Sequence, residues 1–360
     1  MRALKGYLSF CAAHITDGSK RPKDSQRQKF FRDSRILRTG PIVYRMTSKG
    51  RDMGMAVSAR PDGSDLLRAA ADSRAQFDQL LGELRPRLHR FCARMTGSVI
   101  DGEDIVQEAM LKALESLSGA EAIDNVEAWV FRIAHNAALD FLRRRARQQS
   151  LQSDESMDMI VDPRTPIEDR QAATVSLRTF MHLPVAERGA VILKDVMGYS
   201  LEEIGHVMHA TVPATKAALH RGRRHLRELA EAPEENFVPV LAGPERSLLA
   251  AYVDRFNDHD FDAVREMLAE EVKLEVVNRH RLSGRREVSK YFTNYAEVPD
   301  WRLIPGFIDG RPGILVGDPA DLKGRPTYFI VLNWGVGGIL GIRDFRYARY
   351  AIEGAELVAL

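Results

Sequence analysis

Apolar residues recur at helical spacing through two stretches of this chain and give way to a two-residue alternation only towards its end. From Ala75, Phe77, Leu80, Leu81, Leu84, Leu88, Phe91, Cys92 and Met95 repeat at three and four, and Pro86 marks a kink or a join between two helices. Asp101 is placed to cap the next helix. There Ile105, Val106, Ala109, Ala113, Leu114 and Leu117 face a core, while Asp104, Gln107, Glu108 and Lys112 lie outside. After a Ser/Gly/Ala loop, Val126, Trp129, Val130, Ile133, Ala137 and Phe141 define a third long helix. Trp129 falls on its apolar stripe, which assigns it to the core. The opposite face carries Arg132, His135, Asn136, Arg143, Arg144, Arg145 and Arg147.

The second helical stretch, Tyr199 to Glu228, reads as two short helices joined by a tight turn. Ser200 and Glu203 have the S-x-x-E spacing of a capping box, so a helix begins at Leu201 with Leu201, Ile204, Val207 and Met208 on one face. The segment His209-Ala210-Thr211 interrupts the pattern, and Val212, Thr215, Leu219, Gly222 and Leu226 resume it. Thr211 can cap the second helix, whose first turn tolerates Pro213 because the missing N–H has no intrahelical partner there. With that stripe inward, Lys216, His220, Arg221, Arg223, Arg224 and Arg227 spread over the remaining faces, the arrangement of a helix-turn-helix that enters a DNA groove.

Beyond residue 245 the pattern changes. Leu248, Leu249, Tyr252, Val253 and Phe256 form an amphipathic helix, Asp260 caps the next, and Val264, Met267 and Leu268 are its buried side. Val272, Leu274 and Val276 alternate as a strand. A helix with Val288, Tyr291, Phe292 and Tyr295 precedes strands near 301–308, 313–317, 327–334 and 339–349, the first two joined by an Asp309-Gly310 turn. Helices followed by a meander of strands predict an α+β cone. The whole reads as a multidomain chain, two all-α modules followed by this α+β domain.

Charge refines the picture through its distribution. The formal net charge is +2, yet residues 1–60 hold fourteen Lys/Arg against four Asp, so the remainder carries −8 and DNA contact depends on local clusters. Residues 1–70 show no sustained periodicity and are expected to be a disordered basic segment; translation starting near Met53 or Met55 is an alternative account of residues 1–54. Residues 148–171, with Asp154, Glu155, Asp158, Asp162, Glu168 and Asp169, read as an acidic linker, and 232–245 as a second one. The modules are then 71–147, 172–231 and 246–360. Two cysteines, Cys11 and Cys92, cannot make a thiolate zinc site and fit a reducing cytoplasm; no metal or cofactor is expected. The longest apolar run, Phe329 to Ile342, is too short and too interrupted for a membrane span and reads as two strands around a Val336-Gly337-Gly338 turn.

The segments DGEDIVQEAMLKAL and AWVFRIAHNAALDFLRRR resemble conserved region two of the extracytoplasmic-function (ECF) sigma factors, the compact branch of the sigma-70 family. LPVAERGAVILKDVMGYSLEEIGHVMHATVPATKAALHRGRRHLRE is similar to their region four. AYVDRFNDHDFDAVREMLAEEVKLEV, closing with GIRDFRYARY, resembles the SnoaL-like domains appended to some of these factors. The resemblance implies a promoter-directing subunit with core RNA polymerase (β′ clamp helices, β flap) and promoter DNA as partners. It implies polymerase-binding residues Asp104, Gln107 and Glu108, and minus-ten contacts from Arg132, Asn136, Arg143 and Arg144 beside a base-capturing loop at Ser116–Asn125. It also implies a minus-thirty-five surface of Ala214, Lys216, Ala217, Ala218, His220, Arg221, Arg223 and Arg224. On that surface Arg221 suits a guanine, the alanine methyls suit thymine, and Lys216, His220, Arg223 and Arg224 suit phosphates.

For the C-terminal domain, Asp254, Asp258, His259, Asp260 and Asp344 are available acids and bases, but their spacing assigns no acid-base constellation and no catalytic residue. A module that regulates the factor in cis, with room for a small ligand, is the reading adopted. An autonomous helix-turn-helix regulator, or a cyclase or isomerase with a DNA-binding appendage, are the alternatives.

Overall fold

The computed structural model describes residues 63–117, 123, 125–152, 177–231, 241–298, 300–321 and 324–360. The disorder expected for residues 1–70 therefore lies, up to residue 62, outside the described residues, whereas residues 63–70 are helical and correct that expectation. So do most of the Ser116–Asn125 loop, the acidic linker from residue 153, and residues 232–240. Pro61–Ser118 and Glu127–Leu360 form one compact unit; the other, Met1–Arg60 with Gly119–Val126, is described only at its last residues.

The first module is built from α1 (Gly63–Thr96), α2 (Val99–Leu117) and α3 (Val126–Gln152). Helix α1 runs through Pro86 without ending, so of the kink or join expected there the join is absent. Leu81, Leu88, Phe91, Cys92 and Met95 of α1 are buried together with Ile105, Val106, Ala109 and Ala113 of α2 and Val130, Phe131 and Ala137 of α3. Gly102 lets the first two helices approach, since a Cβ there would lie 2.6 Å from the Ala93 backbone nitrogen. Asp101 does not cap α2 as expected. The helix starts two residues earlier, and Ser98 Oγ accepts from the Asp101 N–H at 3.3 Å. Helix α3 also extends five residues past the expected boundary at 147, to Gln152.

The second module comprises α4 (Leu177–Met181), α5 (Val185–Val191) continued by a wider turn at Ile192–Val196, α6 (Leu201–Met208) and α7 (Val212–Glu231). The capping box forms in both directions: Ser200 Oγ accepts from Glu203 N at 3.1 Å, and Glu203 Oε2 from Ser200 N at 2.8 Å. His209 ends α6 in the left-handed region at φ 52°, and Thr211 Oγ1 accepts from Ala214 N at 3.3 Å to start α7. Gly222 permits the close crossing of α5 and α7; a Cβ there would meet Val191 at 2.7 Å.

The C-terminal part opens with α8 (Gly243–Asn257) and α9 (Phe261–Glu266), the latter capped by Asp260, whose carboxylate accepts from Ala263 N at 3.1 Å. Strands β1 (Leu268–Val276) and β2 (His280–Ser283), helices α10 (Arg285–Ser289) and α11 (Tyr291–Glu297), and strands β3 (Arg302–Ile308), β4 (Arg311–Gly317), β5 (Tyr328–Gly335), β6 (Gly338–Asp344) and β7 (Leu357–Ala359) complete it. The strand order is β2-β1-β6-β5-β4-β3-β7, antiparallel throughout except for the parallel β1–β6 pair. The expected strands and the Asp309-Gly310 and Val336-Gly337 turns are present, except that the strand expected at 339–349 ends at Asp344; β2 and β7 carry too little alternation to stand out in the sequence.

Period-two alternation gives the sheet two buried faces. Leu274, Val276, Leu303, Ile314, Val316, Ile330, Ile339 and Ile342 pack with Tyr252, Phe256, Phe292, Tyr295 and Trp301 of the cone interior. Their alternates Val277, Ile308, Leu315, Phe329 and Phe345 form a second core with Ala93, Val99 and Ile100 of the first module and Leu177 of the second. The outer sheet face is thus closed by the helical modules rather than by water.

Candidate polymerase and promoter interfaces

Helix α2 presents Asp104, Gln107 and Glu108 on one side, together with Leu111, which is 58% exposed at the seventh position from Asp104. Sequence reasoning passed over Leu111; an apolar residue continuing the row of an otherwise charged helix face was the available sign. The N-terminal half of this face is engaged by the sheet. Arg343 pairs with Asp104 at 2.7 Å, Gln107 Nε2 donates to Glu275 Oε1 at 2.7 Å, and Arg281 donates to Gln107 Oε1. Burial raises the Asp104 carboxyl above its ordinary value, with Arg343 only partly countering it. Glu108 lies beyond the sheet. Burial pulls its carboxyl upward, but Lys112 at 2.7 Å and Arg144 at 3.3 Å outweigh that and hold it low.

At the start of α2, Arg311 from the β3–β4 hairpin grips Asp101 through two bonds of 2.7 and 2.6 Å. Asp309, in the same turn, accepts from the Val99 N–H at 2.7 Å and from Glu356 N at 3.0 Å. The first free N–H of the helix is therefore satisfied by a side chain 210 residues away. Burial raises the Asp309 carboxyl despite both donors.

On α3, Asn136 and Arg143 are exposed, Arg132 is half-buried, and Arg144 is exposed beside Glu108; Arg143 pairs with Asp140 at 3.2 Å. The other side of α3 meets the second module. Phe131 packs on Tyr199 with ring centroids 5.3 Å apart, and the Tyr199 hydroxyl donates to Glu127 at 2.5 Å. His135, 4% exposed, leaves Nδ1 without a partner among the described residues, and burial together with nearby His209 lowers its pKa to about 4. Arg188 of α5 is buried with no carboxylate partner among the described residues and donates to the carbonyls of Met95, Met181 and Leu183 at 2.6, 3.1 and 2.9 Å; burial brings its pKa down to about 10. Trp129 is half-buried, 6.4 Å from the Phe77 ring, partly bearing out its core assignment.

Helix α7 separates the expected minus-thirty-five residues into two sets. Ala214, Lys216, Ala217, His220, Arg221 and Arg224 are exposed. Ala218 instead is buried at 5%, one position from Leu219 on the inward stripe, so its methyl faces the core. Arg223 makes a two-bond fork with the nearly buried Asp195 at 3.0 and 2.6 Å, tying α7 to the turn after α5. Arg221 Nε donates to Glu187 at 2.8 Å, and Glu187 also binds His225 at 2.6 Å, while Arg224 pairs with Glu228 at 3.5 Å. Val212, 37% exposed, stands at the start of the helix.

In the C-terminal domain, Asp254, Asp258, His259 and Asp260 are exposed around one turn, away from Asp344, which lies inside the cone. Asp344 accepts from Tyr291 and Tyr295 at 2.7 and 2.8 Å and from Arg346 N at 2.8 Å; burial nevertheless raises its carboxyl. Among the described residues no cluster of His, Cys, Asp and Glu could hold a metal, and no helix is long and apolar enough to cross a membrane.

A capped helix-turn-helix with a basic outer face, joined to a second helical module with an acidic face, defines a DNA-binding transcription factor with a protein partner. Comparison with known proteins narrows that class. Family models described as Sigma-70 region 2, Sigma-70, region 4 and SnoaL-like domain match residues 80–148, 177–226 and 249–310. The ECF RNA polymerase sigma factor SigM of Mycobacterium tuberculosis is 31% identical over 170 residues, covering 47% of this chain and 85% of SigM. The ECF RNA polymerase sigma factor SigE of Mycolicibacterium smegmatis is 29% identical over 177 residues, covering 48% and 68%. The solved structure of the Mycobacterium tuberculosis ECF sigma factor SigJ shares 16% identity, covers 74% of this chain and 95% of its own, and has a TM-score of 0.30. The chain belongs to the family of ECF RNA polymerase sigma factors, with a SnoaL-like domain at its C-terminal side.

Proposed function

We propose that this chain directs core RNA polymerase to a small set of promoters and helps open them, and that its SnoaL-like domain controls it in cis without itself being an enzyme. Asp104, Gln107, Glu108 and Leu111 engage polymerase. Arg132, Asn136, Arg143 and Arg144 contact the melted minus-ten strand, where captured bases offset the few kcal/mol lost on unstacking. Lys216, His220 and Arg224 hold phosphates of the minus-thirty-five duplex, and Ala214, Ala217 and Arg221 meet base edges. The observation that carries this reading is the pair of faces: an acidic one on α2 and a basic, exposed one on α7, each within the matching sigma region.

Run-off transcription with sigma-free core polymerase on genomic template tests it. The full chain is expected to yield discrete promoter-specific transcripts, and a chain ended at Leu241 is expected to change their amount. Stoichiometric capture by core, with little specific DNA binding alone, separates this reading from an autonomous operator-binding regulator. No transcripts and no capture would end it.

A further inference from the structure

Helix α7 crosses α5 at Gly222, where a Cβ would stand 3.0 Å from the Glu187 carbonyl oxygen and 3.2 Å from its Cβ. That crossing sets the Glu187 carboxylate between two residues one turn apart on α7. Its Oε1 accepts from Arg221 Nε at 2.8 Å and its Oε2 from His225 Nδ1 at 2.6 Å, so both oxygens are fastened. The Glu187 side chain is 7% exposed, whereas that of Arg221 is 49% exposed. Glu187 therefore lies too deep to touch DNA and acts on it through Arg221.

The neighbouring arginines are held differently. Arg223 uses both Nε and Nη2 on Asp195, and Arg224 pairs with Glu228 one turn along its own helix at 3.5 Å. Arg221 commits Nε to a carboxylate on another helix, which fixes the direction of the side chain. Its Nη1–Nη2 edge is the two-donor fork left to match guanine O6 and N7.

We propose that Glu187 is a positioning residue for promoter reading: from α5 it holds the Arg221 guanidinium in the orientation that meets a guanine of the minus-thirty-five element. Discrimination at that base pair then depends on a side chain that never touches it. The proposal rests on the base-edge role given to Arg221 and adds what aims it. An unrestrained arginine loses rotamer freedom on binding, and it does so only against the matching base. Releasing Arg221 is therefore expected to reduce discrimination about fivefold.

The test uses the full chain with sigma-free core polymerase and a promoter recovered from its run-off transcripts, each base pair of the minus-thirty-five element being replaced in turn. Competition of each replaced fragment against the original gives a ratio of affinities that does not depend on the fraction of protein folded. Arg221→Ala is expected to abolish the preference at one base pair. Glu187→Ala is expected to weaken the preference at that same base pair about fivefold and to leave the other ratios unchanged. Glu187→Gln keeps the volume and one acceptor oxygen, is expected to weaken it about twofold, and keeps the test decisive should the alanine variant not fold. In the Arg221→Ala background neither change at Glu187 is expected to have a further effect, because no guanidinium is left to hold. Unchanged ratios, losses shared by every position, or a further loss in that background overturn the positioning role and leave the initiation role standing. No loss of preference with Arg221→Ala removes its base-edge role and this proposal together, and a wild-type chain that yields no transcript removes the initiation reading as well.

Discussion

A histidine held neutral by burial makes part of this fold sensitive to acid. His135 is packed against Phe91 between the first two modules and keeps its ring neutral, with a pKa near 4 set by burial and by His209. Its folded value lies below the unfolded one of about 6.5, so its contribution is complete above pH 6.5 and is lost as pH falls towards 4. The raised carboxyls of Asp104, Asp309 and Asp344 act with the opposite sign, adding stability as pH falls. Comparing wild type with His135→Phe isolates the histidine: the drop in thermal midpoint between pH 7 and pH 5 should be smaller in the variant. Asp309 offers a second residue-scale test. Asp309→Ala removes the acceptor for the Val99 N–H and should cost about 1 kcal/mol, as losing a helix cap does, read as a lower unfolding midpoint. That cap was illegible in the sequence. Asp309-Gly310 announced a hairpin turn through its own backbone preferences, but nothing local says that the carboxylate serves a helix 210 residues upstream.

Helices and their caps were the most legible elements because their causes are local. The Ser200/Glu203 box, Thr211, Asp260 and the three long helices of region two all follow from residues within a turn of one another. Short strands were not. β2 and β7 owe their pairing to partners far along the chain and carry weak patterns of their own. On α7 the basic residues were countable from the sequence, but their division of labour was not, since Glu187 and Asp195 come from α5 and its continuation. That division makes an experiment. Lys216→Ala should weaken promoter binding uniformly and lower the slope of log affinity against log salt by about 1, the loss of one phosphate contact. Arg223→Ala, which breaks the fork to a nearly buried carboxylate, should instead lower the unfolding midpoint and leave that slope unchanged.

At the scale of the molecule, the order of the three family-matched regions was readable, and the way they share a core was not. Alternation predicted the strands but not what covers the outer face of their sheet; that its residues meet Ala93, Val99, Ile100 and Leu177 is a long-range packing fact with no sequence periodicity behind it. The same holds for Arg188, a helix cation whose partners turned out to be three carbonyls, one of them Met95 at the end of α1. Surface residues implied by family resemblance, such as Asp104 and Gln107, were legible as charged and outward but not as already occupied.

Strand β6 lies between β1 and β5 in the middle of the sheet, yet it is sixth of the seven strands to be translated. While the ribosome is still adding the hundred or so residues after α7, at about 5–20 residues per second, neither Arg343 nor Phe345 exists to close over region two. For an interval on the order of ten seconds a growing chain therefore carries both helical modules without the residues that later pair with Asp101, Asp104 and Gln107.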